Sequence, residues 1–174
     1  GEVARAAQLV RTGFDVVVSG PHLAGDDFTE ATGGYESPWA MAQLVFEYDS
    51  AKLPSPPRSL AALADWIKAN PGRFTYPQPP DYLGTTFLKQ VLYGTLADPA
   101  VLQAPLDAAT YESTVAPLWA FLDDIHPSLW RQAQAFPESE PALGQLLADG
   151  EIGISFAFNP GRASAEIAAG TLPD

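Results

Sequence analysis

The residues best suited to chemistry in this chain gather at three junctions. The first is the run GRFTYPQPPDYLGTTFLKQVLYGT, from Gly72 to Thr95. It starts as a short apolar strand, breaks into a proline-rich loop and continues as a helix, so Asp81, Gly84, Thr85 and Thr86 sit where a strand end feeds a helix start. Thr85 or Thr86 is expected to cap that helix. The second is ISFAFNPGRASAEIAAG, where Asn159, Pro160 and Gly161 open a helix after a strand. Helix starts leave backbone N–H groups without intrahelical partners. A short polar side chain beside them either caps the helix or helps to hold a ligand. The third is GGYESPWAMAQ, Gly33 to Gln43, which sets Tyr35 and Trp39 around Glu36 and Ser37. Aromatic faces with a carboxylate suit a cationic or π-bearing ligand, at about 1–2 kcal/mol per desolvated cation–π contact. The same residues also suit a turn whose aromatics pack on the core.

Other candidates carry less. Trp130, after HPSL, either lines a cleft or packs between helices. In DDIHP, Asp123, Asp124 and His126 lie at a helix end and cannot all face one point, so a solvated acidic end is expected there and not a metal site. His22 stands in a loop with no evident partner. The chain has no Gly-x-Ser-x-Gly elbow, no phosphate-cradling loop with a lysine and no dinucleotide fingerprint. With no cysteine, thiolate metal sites, disulfides and cysteine nucleophiles are excluded. The pattern is a ligand-facing rim without a catalytic set. No enzyme, cofactor or metal is expected.

The elements that must position these residues alternate. A helix is expected over Glu2–Thr12 and strands over Phe14–Gly20, Gln43–Asp49, Arg73–Pro77 and Glu151–Phe158. Ser59 caps a helix that Asn70–Gly72 ends. Tyr111–Ile125 carries Val115, Leu118, Trp119, Leu122 and Ile125 at helical spacing. Pro127 and Pro160 fall at first helical positions, Asn159 at a cap and Gly170 just past a helix end. Strands interleaved with helices imply an α/β fold, with a mainly parallel sheet flanked by helices. Ligands of such sheets bind outside the carboxyl ends of the strands, where the first two junctions lie.

The 174 residues, 47% of them apolar, suffice for one domain with a real core. A net charge of −12 repels phosphate backbones and excludes nucleic acid as a partner, and a small charged partner is expected to be cationic. The chain opens on Gly1 without a signal peptide, as expected of a processed chain or an excised piece.

The strings GYESPWAMAQLVFEYDSA, ALADWIKANPGRFTYPQPPDYLGTTFLKQVLYG and HPSLWRQAQAFPESEPALGQLLADGEIGISFAFNPGRASAEIAAGTLPD resemble the extracellular solute-binding proteins of bacterial ABC importers, in the thiamine-like or spermidine/putrescine-like branch. The match runs from Gly33 onward and is less clear in residues 1–32. The resemblance implies two α/β lobes clamping a solute between them. This chain then corresponds to about one periplasmic-binding-protein type II-like lobe over residues 1–174. It implies a periplasmic or extracellular location, membrane-associated through a permease partner, and import of a small solute, thiamine-like or polyamine. Carried over by position, it sets Tyr35, Glu36 and Ser37 near the hinge and cleft, Asp81, Gly84, Thr85 and Thr86 facing solute, and Trp130 and Asn159 as further cleft positions. An α/β hydrolase or transferase domain would use the same strand ends. It would need an acid–base or nucleophile–base pair there, and neither histidine adjoins a strand-end loop. An interaction module without a small ligand is the third reading.

Overall fold

The computed structural model describes residues 26–27, 30–31 and 44–172. They fall into two units, Gly1–Ala42 and Gln43–Asp174. In the first, β1 (Asp26–Asp27) pairs antiparallel with β2 (Glu30–Ala31). The expected helix over Glu2–Thr12 and strand over Phe14–Gly20 lie outside the described residues.

Alternating residue types set the faces of the strand pair in the second unit. β3 (Val45–Tyr48) runs antiparallel to β4 (Ile154–Ala157), with Phe46 opposite Phe156 and Glu47 opposite Ser155. Side chains alternate across a strand. Phe46, Tyr48, Ile154 and Phe156 therefore share one face, and Val45, Glu47, Ser155 and Ala157 the other. On the first face Ile154 and Phe156 meet the core, while Phe46 and Tyr48 stay partly exposed. Phe156 lies 5.2 Å from Phe87 and 6.2 Å from Phe74 between ring centroids, and Tyr76 stands 5.2 Å from Phe87. Ile67, Val91, Ile125 and Leu143 complete this core with no exposed surface.

The helices follow their local signals. α1 (Leu60–Ala69) begins at Ser59, whose hydroxyl accepts from Ala62 N at 3.1 Å, and Asn70 closes it. α2 (Tyr82–Thr95), α3 (Ala108–Ile125), α4 (Glu140–Ala148) and α5 (Arg162–Ala168) follow, with 3-10 turns at Pro99–Gln103, His126–Ser128 and Trp130–Ala133. Gly170, at φ +74°, ends α5 as expected. On α3, Leu118, Leu122 and Ile125 are buried, but Trp119 points outward and is 56% exposed, contrary to the expected stripe. Thr114 takes the inward position one turn before Leu118, its hydroxyl bonded to Thr110 O at 2.7 Å. Pro127 is the second residue of a 3-10 turn rather than the first of a helix.

The expected mainly parallel sheet is not seen among the described residues: their one four-residue ladder is antiparallel. Arg73–Pro77 is buried from Phe74 onward, yet it joins no ladder. Its backbone bonds go elsewhere. Arg73 O accepts from Gly153 N and Phe74 O from Trp130 N, each at 2.8 Å, and Gln78 N donates to Pro137 O at 3.0 Å. Proline at 77, 79 and 80 removes the donors that a continued ladder would need. Contacts nonetheless join this segment to the β4 segment: Arg73 with Gly153 and Phe74 with Phe156.

Candidate functional site

Two of the three junctions meet. The ring of Tyr82, 69% exposed at the first position of α2, lies 5.2 Å from the ring of Phe158, just past β4. Asp81 and Asn159 flank this contact in sequence. The loop ahead of Asp81 holds a cis Pro79–Pro80 bond, and Asp81 N donates back to Gln78 O at 3.1 Å.

Asp81, not Thr85 or Thr86, is the cap of α2: its Oδ1 accepts from Gly84 N at 3.0 Å. The helix thus starts a turn earlier than the threonines suggest. Thr86 is inside it, with its hydroxyl donating to Tyr82 O at 2.8 Å, and Thr85 N donates to Asp81 O. Gly84 has a packing reason. A Cβ built there would stand 1.8 Å from Pro77 O, so the helix start and the Arg73–Pro77 segment touch backbone to backbone. Asn159 does not cap α5 either. Its Oδ1 accepts from Gly161 N at 2.9 Å in a turn one step before the helix, and Pro160 lies in that turn, outside α5.

Behind this rim lies a charge cluster that the sequence reading missed. Arg162, the first residue of α5, donates to both carboxylate oxygens of Glu47, through Nε at 3.2 Å and through Nη2. Its Nη1 donates to Glu166 Oε1 at 2.9 Å, and Glu140 Oε1 lies 4.0 Å from Nε. One guanidinium thus stands among three carboxylates. Burial pushes the Glu140 carboxyl above its ordinary range, Arg162 pulls it back, and Glu47, Asp81 and Glu166 push it further up. A charged residue inside an otherwise apolar strand, Glu47 in VFEY, was the available signal, with its partner 115 positions away.

The remaining candidates are elsewhere. Trp130 lies near the opposite end of β4, where its Nε1 donates to Glu151 Oε2 at 2.7 Å and Arg131 covers its ring at 4.2 Å. Tyr35, Glu36, Ser37 and Trp39 lie outside the described residues. His126 is not part of a solvated acidic end: its Nε2 is 2.9 Å from the Tyr76 hydroxyl. Burial lowers its pKa, partly offset by Asp123. A groove of about 720 Å³ runs along Leu44, Phe46, Tyr48, Leu60 and Tyr93, with Arg58 at its edge. It is the apolar face of the strand pair and gathers none of the carboxylates around Arg162, so the rim is the better candidate for a charged solute.

Among the described residues no helix is long and apolar enough to cross a membrane. No solved structure matches the chain significantly. A similar curated protein is Protein YnjB of Escherichia coli, 46% identical over 148 residues, which are 85% of this chain and 38% of that protein. The chain thus spans under two fifths of the length of this relative. The family model for bacterial extracellular solute-binding proteins matches residues 16–173. With nearly the whole chain inside that match, it belongs to the bacterial extracellular solute-binding protein family.

Proposed function

We propose that the chain forms one lobe of the solute-binding component of an ABC importer, and that its Asp81–Tyr82 and Phe158–Asn159 rim is one wall of the cleft that captures the solute. The observation that carries this reading is the Tyr82–Phe158 contact. It joins the start of α2 and the turn after β4 into one surface with an exposed aromatic ring. Asp81 stands on the rim, and behind it the carboxylates of Glu47, Glu140 and Glu166 share the single guanidinium of Arg162. Such a rim attracts a cation, and the Tyr82 ring offers it a face. A small cationic solute is the class this favours. A thiamine-like molecule fits through its cationic ring and a polyamine through its ammonium groups. Tyr35, Glu36, Ser37 and Trp39 are further candidates for contact with such a solute, with Thr85 and Thr86 as outer positions; Trp130, near the other end of β4, is not part of this wall. The protein would work in the periplasm or outside the cell and deliver solute to a membrane permease.

Thermal-shift screening of the full-length protein tests this. Thiamine, its phosphates, putrescine, spermidine, amino acids and sugars form the panel. A native-state ligand raises Tm by mass action, by about 2.7 kcal/mol of added stability at a hundred times Kd. A shift with thiamine-like or polyamine solutes that Tyr82→Ala and Asp81→Asn weaken is the expected result. A shift confined to neutral or anionic solutes would overturn the cationic class, and none at all would overturn solute capture.

A further inference from the structure

α5 is held to its unit in an unusual way. It is only seven residues long, no residue within it is buried, and no side chain caps its start. So short a helix is not stable by propensity alone and needs tertiary contacts. One such contact is the Arg162 side chain. It is 15% exposed, and it reaches Glu47, 6% exposed on β3, with two hydrogen bonds. Its seat is cleared by Gly144 of α4, where a Cβ would lie 2.5 Å from Nη1. The same residue closes the preceding turn, its backbone N donating to Asn159 O at 3.0 Å. Arg162 therefore grips the Asn159–Gly161 turn by its backbone and the body of the unit by its side chain.

We infer that Arg162 is a positioning residue for the solute-facing wall: its fork onto Glu47, in the seat left by Gly144, holds the Asn159–Gly161 turn and the start of α5 in one place. This deepens the solute-binding reading and rests on it for its functional consequence. The physical basis is the planar guanidinium. Two parallel bonds to one carboxylate fix direction as well as distance, which an apolar contact of the same volume does not. Replacing both members of such a pair with apolar residues commonly leaves stability nearly unchanged or raised, while replacing one leaves a buried charge alone. The double replacement Glu47→Leu/Arg162→Met thus separates holding the turn from holding the fold.

The experiment uses the full-length protein and two readouts. Amide hydrogen exchange without solute is followed at Gly161, Arg162 and Ala165. In the double variant these amides exchange about tenfold faster, while core amides in β4 and α2 and the Tm stay close to wild type. Arg162→Lys, which keeps the charge and loses the fork, gives partial protection. The second readout is solute affinity measured by calorimetry with the solute found in the screen; the double variant weakens it about tenfold, and Arg162→Lys less. Exchange at the wild-type rate in the double variant overturns the inference, whether or not any solute binds. Faster exchange with wild-type affinity overturns its functional half and leaves solute capture standing. A wild-type protein that binds nothing on the panel, yet shows the faster exchange in the variant, refutes the solute-binding reading and that functional half with it, and retains the tether.

Discussion

Replacing Gly84 with alanine tests how closely the rim is built. The added Cβ would lie 1.8 Å from Pro77 O and 2.7 Å from Pro77 C, both backbone atoms. Real Cβ contacts essentially never fall below 3.0 Å, so helix α2 and the Arg73–Pro77 segment must part by more than an ångström. No rotamer relieves this, because neither side of the clash is a side chain. Overpacking in a buried site costs about 1–3 kcal/mol and more when backbone must move, while the exchange of glycine for alanine in a helix returns about 1 kcal/mol. The net expectation is a loss of about 2 kcal/mol, or about 4–8 °C in Tm for a chain of this size. Gly94→Ala is the control on the same helix. Its Cβ would meet Leu60 Cδ1 at 2.2 Å, the far end of a flexible side chain, which can rotate away. Thermal melts followed by far-ultraviolet circular dichroism compare the two. A Gly84→Ala protein that melts at or above wild type, or that loses no more than Gly94→Ala, would refute the close-approach argument.

Asp81→Ala removes the α2 cap and is expected to cost about 1 kcal/mol, with Asp81→Asn costing less; chemical denaturation measures both. His126 has a lowered pKa, so the native state prefers the neutral ring; its stabilising contribution is present above about pH 6.5 and fades as the pH falls through the lowered value. Tm measured from pH 7.5 to 5 should therefore fall less in His126→Gln than in wild type, since glutamine does not titrate. Glu140 has the opposite sign: a raised carboxyl pKa means its contribution is complete at acidic pH and is lost as the pH climbs through the raised value. Glu140→Gln should be more stable than wild type at pH 7, with the difference closing below pH 4, in the same melts. Tyr76, pushed up to about 12 by burial, should make the fold lose stability above pH 10, and Tyr76→Phe should blunt that loss.

The sequence by itself determined several helix boundaries and the family. Ser59 before an apolar stripe, Asn70–Gly72 after it, and Gly170 past the last helix all set boundaries where they were expected, because capping and turn chemistry act over three or four residues. The strings around Tyr35, Arg73 and Asn159 were enough to identify a solute-binding family. Tertiary structure decided the rest. Whether Arg73–Pro77 pairs in a ladder depended on where its carbonyls found donors, and those came from Gly153 and Trp130, far along the chain. Asp81, Thr85 and Thr86 are all capping residue types, so the local signal offered more than one start for α2, and the folded chain took Asp81. The Arg162–Glu47 pair was invisible: a salt bridge is a statement about distance in space, and a chain read residue by residue carries no such distance.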